Sequence, residues 1–116
     1  MSNLIIILLI SLQLWFLVLE MFLWQTPKGL KAFGTTPDFA RESAVLAANQ
    51  GLYNGFLAAG LIWGLLASPP FDVQIKIFFL SCILVAGIYG GFTASKRIWI
   101  IQALPAMIAL LLVLQS

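Results

Sequence analysis

Apolar residues run along this chain in four long stretches, separated by three polar segments. The first, Leu4 to Trp24, is apolar apart from Ser11, Gln13 and Glu20. About 20 such residues, rising 1.5 Å each, cross the hydrocarbon core of a bilayer. Spans are expected at about 4–24, 43–67, 73–93 and 98–114. Between the first two, Thr26-Pro27-Lys28-Gly29 is expected to stop the first helix. Thr36-Pro37-Asp38 reads as a helix start, with Thr36 as N-cap and Pro37 at the first helical position. The second helix is expected to begin there, outside the bilayer, and to enter it near Ser43. A separate interfacial turn over Pro37 to Arg41 is the other reading. Ser68-Pro69-Pro70 ends the second span. Asp72 is expected to cap the third, and Lys76 to snorkel from its first turns. Ser95-Lys96-Arg97 is a short turn before the fourth. There Pro105 removes the hydrogen bond to the carbonyl of Ile101 and is expected to kink the helix.

This pattern implies an all-α, polytopic membrane four-helix bundle, a single transmembrane domain over residues 1–116. Charge then orients it. The first and third loops hold Lys28, Lys31, Arg41, Lys96 and Arg97, whereas the other side holds only Lys76. By the positive-inside bias, both loops are expected to be cytoplasmic and both termini outside. Met1-Ser2-Asn3 has no basic residue and no small-x-small cleavage site follows, so the first span is expected to be retained.

Composition agrees. Of 116 residues, 62% are hydrophobic and 9% charged, against about a quarter charged in soluble domains. The net charge of +2 is no nucleic-acid footprint, because its six cations are few and dispersed. Cys82 is the single cysteine, which excludes a disulfide framework within the chain. Histidine is absent, which excludes a His-based metal site or a Ser–His triad. A lone carboxylate among amides is a poor metal site, so no metal and no cofactor is expected.

Glu20 is the only charged residue before Lys28. An ionisable group on a lipid-spanning helix should face protein or water and have a partner. In the expected topology it lies about 6 Å inside the cytoplasmic boundary. The second helix brings Asn49, Gln50, Tyr53 and Asn54 to that half, starting roughly 9 Å in. The third brings Tyr89 and Thr93, the fourth Gln102. These eight residues, Glu20, Asn49, Gln50, Tyr53, Asn54, Tyr89, Thr93 and Gln102, form the candidate ligand-binding set. They read equally as a pocket open to the cytoplasm or as a self-satisfied polar layer.

Glycine spacing points to close helix contact. Gly51 and Gly55, Gly60 and Gly64, and Gly87 and Gly91 make three small-x-x-x-small steps, read first as packing within the bundle. Trp15, Trp24, Trp63 and Trp99 read as interfacial anchors. Trp15 or Trp24 is also placed to form an aromatic wall for a cation.

The stretch Leu19-Glu20-Met21-Phe22-Leu23-Trp24, followed by Asn49-Gln50-Gly51-Leu52-Tyr53-Asn54-Gly55, resembles the bacterial membrane proteins catalogued as domain of unknown function family 1304. Gly90-Gly91-x-Thr93 and Gln102-x-x-Pro105-Ala106 fit the same pattern, and the likeness covers nearly the whole chain. It departs at Gln13, where the family often has histidine. The resemblance implies a small multi-pass protein of the bacterial inner membrane with no established activity.

Three functions fit these residues. The first is binding of a small molecule or lipid headgroup in a polar intramembrane pocket around Glu20, which as an acid–base group could also serve an isomerase. The second is proton-coupled cation transport, by analogy with small multidrug-resistance transporters. That analogy is weakened by the position of Glu20 near one boundary and by the charge bias. The third is a structural or assembly role in which the layer fixes helix register. The bilayer is the expected partner in all three, with a ligand or a second copy of the chain as further candidates.

Overall fold

The computed structural model describes residues 1–116 as six α-helices and one π-helical turn, without strands. The helices are α1 (Ser2–Met21), α2 (Pro27–Phe33), α3 (Pro37–Glu42), α4 (Ala44–Leu66), α5 (Phe71–Thr93) and α6 (Leu104–Gln115). The π-helical turn, Trp99–Ala103, immediately precedes α6. Two helices, α1 and α5, are long and apolar enough to cross a membrane. Helix α4 matches the 23 residues of α5, but Asn49, Gln50, Tyr53 and Asn54 dilute its apolar character. Trp99–Gln115 is a shorter apolar helical stretch.

The chain forms two compact units, and α1 and α4 each contribute to both. One unit comprises Met1–Leu12 with Leu57–Ser116. Its core gathers Ile6, Leu9, Ile10, Ala58, Leu61, Leu80, Ile83, Ala106, Ala109 and Val113. On α6 the buried Ala106, Ala109 and Val113 fall at i, i+3 and i+7, one face of a helix. Glycines bring the backbones together here. A Cβ on Gly87 would lie 2.9 Å from the backbone nitrogen of Ala103, and one on Gly60 2.2 Å from the Phe79 ring. Gly91 makes room for the indole of Trp99, which then donates its Nε1–H to the carbonyl of Ile88 at 3.1 Å.

The start of α5 differs from the sequence expectation. Asp72 does not cap the helix; Pro70 holds the cap position and makes no side-chain hydrogen bond. Asp72 sits in the first turn, and its carboxylate lies 3.9 Å from the ammonium of Lys76. Lys76 is buried rather than snorkelling. Its stem packs on Gly64, and its Nζ donates to Asn3 Oδ1 at 3.1 Å. The i, i+4 charge pair and the bond to Asn3 hold the ammonium inward, while Asp72 Oδ1 is buried without a hydrogen-bond partner.

The fourth apolar stretch is π-helical before its proline. The N–H of Leu104 bonds the carbonyl of Trp99, five residues back. Pro105 has no N–H and its ring would crowd the carbonyl four residues back. A single wide turn is one way for a helix to absorb that defect.

The second unit is Gln13–Phe56. The polar segment between the first two apolar stretches folds into α2 and α3, two helices where the sequence reading expected a stop and a single start. Thr26 is an N-cap whose Oγ1 accepts the N–H of Gly29, with Pro27 in the first turn. Thr36 does the same for Phe39, followed by Pro37. Gly34 ends α2 at φ 64°, a left-handed position where glycine is unstrained. Helix α3 is separate from α4, as the alternative reading had it. The break falls at Ser43, whose hydroxyl donates to the Phe39 carbonyl at 2.7 Å.

Candidate functional site

Glu20 lies one residue before the end of α1 and is 9% exposed. It lies against α4 because the facing residue is Gly51. A Cβ there would come within 3.1 Å of the Cβ of Glu20 and 2.8 Å of Met21 Cγ. One turn on, Gly55 makes room for Leu17. Asn54, three residues after Gly51, then faces the carboxylate. Its Nδ2–H donates to Glu20 Oε1 at 2.5 Å, and both side chains are buried. This buried side-chain hydrogen bond is the centre of the site.

The other candidates are arranged differently. Asn49 is exposed and donates its amide to the carbonyl of Val45, in its own preceding turn, at 2.9 Å. Gln50 is exposed. Tyr53 is 56% exposed and its ring lies 6.0 Å from that of Phe56. The structure therefore joins Glu20 to Asn54, while Asn49 and Tyr53 engage neighbours on their own helix. Tyr89, Thr93 and Gln102 belong to the unit of Met1–Leu12 and Leu57–Ser116. Tyr89 is exposed, and Thr93 donates its hydroxyl to the Tyr89 carbonyl at 2.9 Å. Gln102 is buried in the π-helical turn and donates to the carbonyl of Ile83 on α5 at 3.1 Å.

Near α1, two tryptophans read from sequence as anchors take on defined contacts. The Trp24 Nε1–H donates to Ser43 Oγ at 3.1 Å, and its ring packs at 4.9 Å on Phe33. The Lys28 ammonium stands 5.2 Å over the Trp15 ring, a cation–π distance. The cation at that aromatic wall is the chain's own.

Sequence reasoning overlooked one polar group, Asn3 with Asp72 and Lys76. The i, i+4 spacing of Asp72 and Lys76 was its signal; the reach of Asn3 had none. No three histidine, cysteine, aspartate or glutamate side chains gather to hold a metal ion. Chemically, the Glu20–Asn54 pair can accept and pass hydrogen bonds and can exchange a proton.

Known proteins add the family. No curated protein and no solved structure matches the chain. The family model described as "Protein of unknown function (DUF1304)" matches residues 7–114. That match spans nearly the whole chain, and the protein belongs to this family.

Proposed function

We propose that this chain is an integral membrane protein of four spans, with the termini outside and the loops after the first and third spans cytoplasmic. Its polar groups serve helix assembly. Exposed Leu4, Leu8, Phe22, Val45, Leu46, Phe78, Val85 and Phe92 support the membrane reading. Water does not favour so many large apolar side chains on one small surface, and a bilayer does. Only a third of the most apolar 18-residue stretch of each of α1 and α5 is buried within the chain, which leaves the rest of it for lipid or a partner.

One observation carries the assembly reading: the Glu20–Asn54 hydrogen bond at the Gly51 contact. Lipid tails are as apolar as leucine, so helices in a bilayer associate through close backbone approach and interhelical hydrogen bonds. Small residues facing a paired carboxylate meet both needs and fix the register of α1 on α4. In this reading Glu20→Gln keeps both size and hydrogen bonding and leaves the thermal unfolding of lipid-embedded protein near wild type. Asn54→Leu lowers it clearly. An Asn54→Leu protein as stable as wild type would end the assembly reading.

A second reading is a ligand acceptor. Asn54 occupies Oε1 of Glu20, which leaves Oε2 to accept a donor from a small molecule or headgroup. Native mass spectrometry separates the two. A molecule that co-purifies with wild type and is lost in Glu20→Gln favours the acceptor; bare protein in both favours assembly.

A further inference from the structure

The buried face of the first half of α4 is Ala47, Gly51 and Asn54. A quarter turn from it run Leu46, Gln50 and Tyr53 at i, i+4 and i+7, all exposed. Leu46 is 75% exposed and Tyr53 56%. This stripe mixes polar and apolar groups in an unusual place. With α4 as a span, an assumption carried over from the proposed function, Gln50 lies about 9 Å and Tyr53 roughly 13 Å along the helix from Ala44. Those depths are within hydrocarbon, below the reach of headgroups. A primary amide facing lipid tails there leaves two donors and a carbonyl unsatisfied, which costs free energy.

Asn49, one residue earlier, shows how an isolated amide avoids that cost, by donating to the carbonyl four residues back. Gln50 has no such bond among the contacts of α4. What covers it must supply both a donor and an acceptor at the same depth. A second amide does so. The strongly uneven distribution of basic residues gives every copy one orientation. Two parallel copies related by a two-fold axis along the membrane normal bring equal positions together at equal depth. Gln50 then meets Gln50.

We propose that the Leu46–Gln50–Tyr53 stripe is a self-association surface, occupied by the same stripe of a second copy of this chain. Each Gln50 donates one amide N–H to the carbonyl oxygen of the other. Leu46 and Tyr53 pack one turn to either side and exclude lipid from the pair. The Glu20–Asn54 bond, on a neighbouring face of α4, is not part of this contact.

The test is cysteine trapping in membranes, in a Cys82→Ser background that removes the only native thiol. Single cysteines replace Leu46, Tyr53 or, on another exposed face of α4, Leu52, with Gln50 kept throughout. Mild oxidation should give covalent dimer from the first two positions and little from Leu52. Alongside, Gln50→Leu should raise the dissociation constant of the dimer in lipid nanodiscs roughly three- to tenfold. No dimer from Leu46→Cys and Tyr53→Cys, or yields no higher than from Leu52→Cys, would overturn the proposal. So would a small molecule or lipid bound to monomeric wild type and lost in Gln50→Leu. Labelling of Gln50→Cys in the same membranes by a water-soluble maleimide keeps the two readings apart. Ready labelling refutes α4 as a span, whereas a shielded Gln50→Cys in a protein that does not dimerise through Leu46→Cys or Tyr53→Cys refutes only the self-association surface.

Discussion

In the unit of Met1–Leu12 with Leu57–Ser116, helices meet over glycine and alanine. In the unit of Gln13–Phe56, close approach at Gly29, Gly51 and Gly55 is joined by individual polar ties rather than by one apolar cluster. The first has ten buried apolar residues in one cluster and glycines whose missing side chains are filled by Phe79, Ala103 and Trp99. The second has two threonine caps, the Trp24–Ser43 bond, the Lys28–Trp15 contact and the Glu20–Asn54 pair. The difference concerns what each can tolerate. A packed contact has no spare volume, so an added methyl must displace something. A polar tie can be cut one at a time, and each carries a limited share.

The largest loss is expected from Gly91→Ala. The new Cβ would fall 1.8 Å from Trp99 Nε1, on a side chain already held by Ile88. A loss of about 3 kcal/mol is expected, the upper end for overpacking, read by thermal unfolding in lipid or detergent. If Gly91→Ala is neutral, the first unit is not held by shape. Next comes Asn54→Ala, which strips the buried Glu20 of its partner and should cost about 1–2 kcal/mol. Adding Glu20→Leu to it should recover part of that loss, because the uncompensated group is then gone. Thr26→Ala should cost about 1 kcal/mol as a lost cap. Thermal unfolding measures both of these. Smallest is Arg41→Ala, which removes the exposed 3.0 Å pair with Asp38 and should change stability by under about 0.5 kcal/mol. An Arg41→Ala loss as large as that of Asn54→Ala would erase the distinction between buried and exposed ties.

How much of this was legible can be followed at the two Thr-Pro steps. Thr36-Pro37-Asp38 announced a helix, and a helix is there. Thr26-Pro27 carries the same cap and the same proline, yet Lys28-Gly29 after it reads as a breaker. The structure explains Gly29 by packing: a Cβ would lie 2.0 Å from the Leu23 carbonyl oxygen. Local composition shows a glycine but not whether a turn or a neighbour requires it. The site repeats the lesson. That Glu20 needed a partner followed from its setting, and an amide from α4 was among those expected. Helical phase decides which one. Asn54 falls with Ala47 and Gly51 on the buried face, whereas Gln50 sits a quarter turn away. Sequence spacing gives the relative phase of these residues and not which phase points inward. The π-helical turn was the least legible, since Pro105 signals a defect and several geometries relieve it.

That turn has a genetic consequence. A π-turn holds one residue more than the α-helix it interrupts, so the residues after it are set in a frame. Deleting one codon within 99–103 would remove the surplus and leave a plain α-helical turn, with Ala106, Ala109 and Val113 still on their closed face. Deleting one codon beyond the turn finds no surplus to absorb it and would rotate everything downstream by about 100°. Met107 and Leu114 lie on open positions and Leu110 on a partly open one, and such a rotation would drive side chains of that size into the closed sites. Among members of the family, single-residue deletions should therefore collect within this turn and be rare after it.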